Sequence, residues 1–121
     1  MTTTKAITGA RGEDAAVSFL RKQGFLICER NWRNGRYEID IIARKSYVTH
    51  IIEVKTRSVS GYTTPEDAIT PDKLRSMRRA ASLYLAQHRI TDDVAFDLVA
   101  IDLFPDGSHD IRFIADIMQR Q

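Results

Sequence analysis

The spacing of hydrophobic positions changes several times along the chain, and each change predicts an element. From Thr8 to Gln23, Ala15, Ala16, Phe19 and Leu20 recur at helical spacing, and Gly24 stops the run. Phe25 to Trp32 reads as a short strand. Asn34-Gly35 is a strong hairpin signal. Two runs rich in Ile and Val follow, Tyr37 to Arg44 and Val48 to Thr56, joined by the short link Lys45-Ser46-Tyr47. Ser58 to Thr64 holds small and polar residues around Tyr62, which predicts an exposed, mobile loop that gates whatever lies at the end of the preceding strand. Thr70 then offers an N-cap with Pro71 at the first helical position. Leu74, Met77, Ala81, Tyr84 and Leu85 form the apolar stripe of a helix that should end near His88. Val94 to Leu103 predicts a strand, Pro105-Asp106-Gly107 a turn, and Ile111 to Ile117 a final strand. The order is αβββαββ. Short links make the first three strands antiparallel neighbours. The fourth, arriving after a helix, should run parallel to the strand on which that helix packs. The expected fold class is α/β, a mixed sheet flanked by helices.

Composition bounds the picture without sharpening it. The 121 residues, 43% hydrophobic and 28% charged, suit one domain over 1–121. No apolar run approaches the ~20 residues of a membrane span, and no apolar signal core follows Met1 to Lys5. The lone Cys28 can form no internal disulfide and belongs to no CxxC pair, which fits a reducing, cytoplasmic setting and a small core residue. Charge distribution says more than net charge. The first sixty residues hold eleven Lys and Arg against six Asp and Glu, and the remainder seven against ten. Such a bias hints at a polyanionic partner. His50, His88 and His109 are scattered, with no zinc-protease spacing, and Gly9-Ala10-Arg11-Gly12 lacks the preceding strand of a dinucleotide fingerprint.

The candidate chemistry lies on two neighbouring strands. In Glu38-Ile39-Asp40-Ile41-Ile42 the side chains alternate, so Glu38 and Asp40 share one face and Ile39 and Ile41 the other. In Ile51-Ile52-Glu53-Val54-Lys55, Glu53 and Lys55 share a face. The bland alternative is a wet sheet face on which Glu38 or Asp40 pairs with Lys55 across the strands, worth only ~0.2–1 kcal/mol. Three acids against one lysine leave uncompensated negative charge, however, and oxygen-only ligands of this kind suit Mg²⁺ or Mn²⁺. Glu13, with Ala16, Val17 and Leu20 three, four and seven residues on, projects at the edge of the helix face turned to the sheet. There it either joins the cluster or merely complements the helix dipole. Trp32, between Arg30 and Arg33, is either a core-edge residue or a base-stacking platform.

Asp40 followed by Glu53-Val54-Lys55, on consecutive strands after an N-terminal helix, resembles the PD-(D/E)xK nuclease signature. More narrowly, the chain resembles the YraN-type bacterial family, related to archaeal Holliday-junction resolvases. The matching pieces are Gly9-x-x-Gly12-Glu13-x-x-Ala16, Asn31-Trp32-Arg33, Gly35-Arg36-Tyr37-Glu38-Ile39-Asp40-Ile41-Ile42-Ala43, Ile52-Glu53-Val54-Lys55-Thr56-Arg57, Lys73, and Phe96-Asp97-Leu98-Val99-Ala100-Ile101. The chain departs from the superfamily pattern at Ile39, where a proline is usual, and at Ala95, where relatives often carry arginine.

The resemblance implies a restriction-endonuclease-like αβββαβ core with one extra C-terminal strand. It implies metal-assisted hydrolysis of phosphodiester bonds, in DNA ahead of RNA. Asp40 and Glu53 would hold Mg²⁺ or Mn²⁺, with Glu13 as an accessory acid from the helix. Lys55 would be the catalytic lysine, and Glu38 joins the catalytic set. Arg33, Arg36 and Arg57 near the site, and Lys73, Arg75, Arg78 and Arg79 crowding the second helix, could grip phosphates. Resolvases pair two sites by two-fold symmetry, so a homodimer follows by analogy. Fold alone does not settle function. The alternatives are a nucleic-acid-binding module that cleaves nothing and an interaction protein whose acidic patch is a salt-bridge network.

Overall fold

The computed structural model describes residues 4–59 and 64–120. Two helices, α1 (Thr4–Lys22) and α2 (Pro71–His88), flank a five-stranded sheet. The strands are β1 (Leu26–Asn34), β2 (Tyr37–Lys45), β3 (Val48–Ser58), β4 (Asp93–Leu103) and β5 (His109–Ile114). They lie side by side in chain order. The pairs β1–β2, β2–β3 and β4–β5 are antiparallel, and β3–β4 is parallel, with α2 in the crossover between them. This is the expected mixed α/β sheet: a restriction-endonuclease-like αβββαβ core with β5 added at its edge.

The apolar runs of the central strands are long because both sheet faces are covered. Ala16, Val17 and Leu20 of α1 pack with Ile41, Ala43, Ile52, Val99 and Ile101 on one face. Leu74, Met77, Ala80, Ala81 and Tyr84 of α2 pack with Ile42, Ile51, Leu98 and Ala100 on the other. Adjacent residues such as Leu98 and Val99 therefore serve opposite cores, as strand alternation requires. Trp32 takes its core-edge reading: its ring meets Tyr84 edge-on, with centroids 5.3 Å apart.

Helix α2 begins as its cap predicts. The Lys73 backbone N–H donates to Thr70 Oγ1 at 3.2 Å, Pro71 follows the cap, and the helix ends at His88 with Arg89 in the left-handed region. The two hairpin loops are shorter than expected. Asn34 still pairs with Tyr37, so the first loop is Gly35-Arg36, with Gly35 at φ +60°. Lys45 pairs with Val48, leaving Ser46 and Tyr47 as the second loop, both at positive φ.

Three further expectations need correction. Cys28 is exposed rather than a core residue. The β1–β2 register shifts between Ile27 and Glu29, and this bulge turns the intervening Cys28 outward. The final strand stops at Ile114 instead of Ile117. Asp116 adopts φ +57° and its N–H donates to Asp97 Oδ1 at 3.1 Å, which turns the chain into a short 3-10 helix, Ile117–Arg120. Ile117 thereby joins the core under α2. The first helix starts at Thr4 rather than Thr8.

Of the expected mobile loop, residues 60–63 lie outside the described residues. On either side of them, Ser58 closes β3, and Thr64 caps a 3-10 helix, Pro65–Ala68. That helix is tied to β5 by two contacts from Arg112 to the Glu66 carboxylate, at 2.7 and 3.1 Å.

Candidate active site

Strand pairing creates the site by stopping. The β2–β3 ladder runs from Lys45↔Val48 to Ile41↔Ile52 and ends there. The next residues on the two strands are Asp40 and Glu53. Beyond that point, Asp40 Oδ2 accepts a 2.8 Å hydrogen bond from the Val54 backbone N–H, a side chain taking the place of a ladder carbonyl. Below the fork, strict alternation fails. Ile39 belongs to the core under α2 and Ile41 to the core under α1, so the expectation that they share a face does not hold. The change of side occurs across Asp40, which the twist leaves between the two layers.

Four elements bring charge to this fork. Glu53, on β3, lies close enough to Asp40 for the two carboxyls to couple, and 2.6 Å from Lys73 Nζ on α2. Its side chain keeps 15% of its surface exposed. Burial, then the adjoining Asp40, pushes the Glu53 carboxyl up to about 8 against the opposing pull of Lys73. Lys73 is raised as well: burial works against its charge, but Glu53, Asp40 and Glu38 outweigh that. Glu13 approaches from α1, and burial followed by the nearby Asp40 charge raises its carboxyl, opposed by Arg30 and Asn31.

Glu13 is held by β1. Asn31 Nδ2 donates to Glu13 Oε1 at 2.7 Å, and Arg30 Nε lies 3.6 Å from the same oxygen. Asn31 sits at φ +51° within a strand, in the left-handed region that asparagine tolerates better than most residues. Its role went unseen at the level of sequence, although an asparagine inside a run of strand formers is the signal that marks such a position. On α1, Gly12 lets the helix lie against β3. A Cβ there would strike the Thr56 hydroxyl and come within 3.1 Å of Thr56 Cβ. Gly12→Ala is therefore expected to cost about 1–3 kcal/mol in thermal unfolding by overpacking. It should also draw Glu13 away from Asp40, and Thr56→Ala in the same chain should restore part of the loss.

The fork does not unite every candidate. Asp40, Glu53 and Lys73 meet, with Glu13 alongside. Among the described residues, no three Asp, Glu, His or Cys side chains gather closely enough to hold a metal ion, and Glu13 is tied to Asn31 and Arg30. Glu38 turns to Arg33 at 3.0 Å instead. Lys55 lies two residues from Glu53 in a strand of unbroken register, hence on the same face. It forms no ion pair or hydrogen bond with any described residue. The cross-strand pair of Lys55 with Glu38 or Asp40, the bland alternative, is thus not formed.

A groove of about 680 Å³ lies between the β1–β2 hairpin and α2, and Lys73 links it to the fork. Arg36, Tyr37 and Glu38 line one side, and Lys73, Arg75 and Arg79 the other. Arg36 donates to Tyr37 Oη at 2.9 Å. Four of the expected phosphate-gripping residues, Arg36, Lys73, Arg75 and Arg79, share this groove. Arg33 stands beside it through Glu38. Arg78 points instead to Met118 Sδ at 3.6 Å, and Arg57 lies farther along β3, opposite Asp102. No helix among the described residues is long and apolar enough to cross a membrane.

Two carboxylates at one fork are a sufficient donor set for Mg²⁺ or Mn²⁺, which keep several waters and take one or two protein carboxylates.

Comparison with known proteins supplies the lineage. Residues 12–101 match the model of the uncharacterised protein family UPF0102. The span runs from Gly12 at the α1–β3 contact to Ile101 on β4, and so contains every residue of the fork. A UPF0102 protein of Bacteroides fragilis is 42% identical over 95 residues, covering 78% of each chain. One from Pelobacter propionicus is 42% identical over 117 residues, covering 93% of this chain and 82% of its own. One from Nocardia farcinica is 42% identical over 102 residues, covering 84% and 80%. Since both the family model and these relatives span most of the chain, it belongs to UPF0102, the YraN-type family.

Proposed function

We propose that the chain is a metal-dependent nuclease that hydrolyses phosphodiester bonds in DNA, with branched recombination or repair intermediates among its substrates. One observation carries this reading: Asp40 and Glu53 stand at the fork as close, coupled carboxyls, and Lys73, 2.6 Å from Glu53, also lines a groove with Arg36, Arg75 and Arg79. A divalent cation held by Asp40 and Glu53 would act as a Lewis acid on the scissile phosphate and lower the pKa of a bound water. The Val54–Asp40 hydrogen bond orients the Asp40 carboxylate towards the fork. Lys55, without a protein partner among the described residues, is available to orient the attacking water and to offset charge as the transition state forms. Arg36, Arg75 and Arg79 draw the phosphate backbone along the groove.

The second reading is a nucleic-acid-binding module that cleaves nothing. The Lys73–Glu53 contact favours it, because the lysine ammonium already occupies one of the two acids. Incubation with labelled duplex, single-stranded and four-way-junction DNA, with and without Mg²⁺ or Mn²⁺, separates the two. Cleavage that needs the cation on at least one substrate is expected. Binding that weakens steeply with salt, with no cleavage of any substrate, establishes the module instead.

A further inference from the structure

We propose that Lys73 is a built-in cation that competes with the divalent metal for Glu53 and, once displaced, turns into the groove to take a substrate phosphate. The inference rests on the nuclease reading. Its observations are geometric. The Lys73 backbone is fixed in the first turn of α2 by its hydrogen bond to Thr70 Oγ1, so only the four-carbon stem is free to move. Its ammonium lies 2.6 Å from Glu53 Oε2. The same side chain keeps 38% of its surface exposed and lines the groove with Arg36, Arg75 and Arg79. Lys73 thus borders both the acids and the path of the phosphates.

A small divalent ion needs its carboxylate oxygens at about 2.0–2.1 Å. An ammonium hydrogen-bonded to Glu53 occupies much of the approach, and like charges at that separation repel strongly where water is scarce. Metal binding therefore pushes the ammonium away from Glu53. The groove is the exposed direction in which it can go, and it is already basic, so the displaced charge adds to the attraction for a phosphate. Two consequences follow. Removing the Lys73 charge should tighten metal binding. With Lys73 present, metal binding should strengthen oligonucleotide binding, and by reciprocity the oligonucleotide should strengthen metal binding. A lysine that only braced Glu53 in its ligating position would have the opposite effect, since its loss would weaken metal binding.

The test begins with calorimetric titration of Mn²⁺ into the wild-type protein, Lys73→Gln, Lys73→Ala and Lys73→Arg, each checked for folding by thermal unfolding. The two neutral variants should bind Mn²⁺ about fivefold more tightly or better, and Lys73→Arg should stay near wild type. The second measurement is binding of a hydrolysis-resistant phosphorothioate oligonucleotide over a range of salt. In the wild type, Mn²⁺ should steepen the slope of log K against log salt by about 0.7–0.9, one added phosphate contact. In Lys73→Gln it should leave the slope unchanged. Unchanged or weaker Mn²⁺ affinity in the neutral variants overturns the proposal, as does a Mn²⁺-induced steepening that survives in Lys73→Gln. A wild type that binds and uses Mn²⁺ while the variants gain no affinity removes this role of Lys73 alone. A wild type that binds no Mn²⁺ removes the nuclease reading and the inference together. If the neutral variants fail to fold, the wild-type and Lys73→Arg salt slopes decide: without steepening, the proposal falls.

Discussion

Asp40→Asn is expected to lose divalent-cation binding and cleavage together, whereas Lys55→Ala is expected to lose cleavage alone. Asparagine is nearly isosteric with aspartate, and its amide oxygen can still accept the 2.8 Å hydrogen bond from the Val54 N–H, so the fork should keep its shape. What disappears is the negative charge between the two layers, and with it half of the proposed ligand pair. Changing a residue that merely supports a metal ligand typically costs 10–100-fold in affinity or activity, so loss of a ligand charge should cost ~10²-fold or more. Lys55 is a different case. It forms no ion pair or hydrogen bond with any described residue, so removing its ammonium breaks no internal pair and should change stability by less than about 1 kcal/mol. The acids then carry less compensating charge, so metal affinity should hold or rise. The ammonium matters where charge builds on the phosphate and the attacking water, and loss of one such preorganised group costs ~10²–10³-fold in rate. Parallel cleavage assays, Mn²⁺ titrations and thermal unfolding of the two variants check the contrast. Undiminished cleavage by Lys55→Ala would remove that lysine from the mechanism.

The second large effect is on stability and depends on pH. Glu53 has its carboxyl raised from 4.5 to about 8 by burial and by Asp40. For an acid raised on folding, the folded state binds the proton more tightly than the unfolded state. Its contribution to stability is therefore fully present below about pH 4.5 and is lost as pH rises through about 8. In the absence of divalent cations, the protein should lose up to a few kcal/mol between these limits, since each pKa unit is worth about 1.4 kcal/mol. Glu53→Gln, which cannot ionise, should remove that part of the pH dependence. It should unfold at a higher temperature than wild type at pH 9, and the advantage should vanish below pH 4.5. Thermal unfolding across pH in a chelating buffer measures the difference. A wild type and variant that run parallel from pH 4 to 9 would show that Glu53 ionises in the native fork without penalty.

Local pattern was enough for the elements and their order. The Thr70-Pro71 cap, the α2 stripe and the Ile and Val runs are properties of neighbouring residues, and capping, periodicity and propensity act at that range. The parallel pairing of β3 with β4 also followed, because a helical crossover leaves few other arrangements. The acids could be named from their places on two consecutive strands, and α1 does carry Glu13 to the sheet.

Tertiary structure decided which charge meets which. Alternation placed Lys55 beside the acids, but Lys73, twenty residues beyond Glu53 and across a turn of helix, is the lysine that touches Glu53. No local rule specifies a contact set by how α2 crosses β2 and β3. Alternation also failed across Asp40, because the β2–β3 ladder ends there and the strand twists between two cores. The bulge at Cys28 and the left-handed Asn31 break the regularity of β1 in the same way, the one exposing a residue expected in the core and the other turning a side chain onto Glu13. Periodicity describes a strand only while its partner continues alongside. The candidate site lies where that partnership stops, so its residues were legible in sequence while its geometry became definite only once both helices had closed on the sheet.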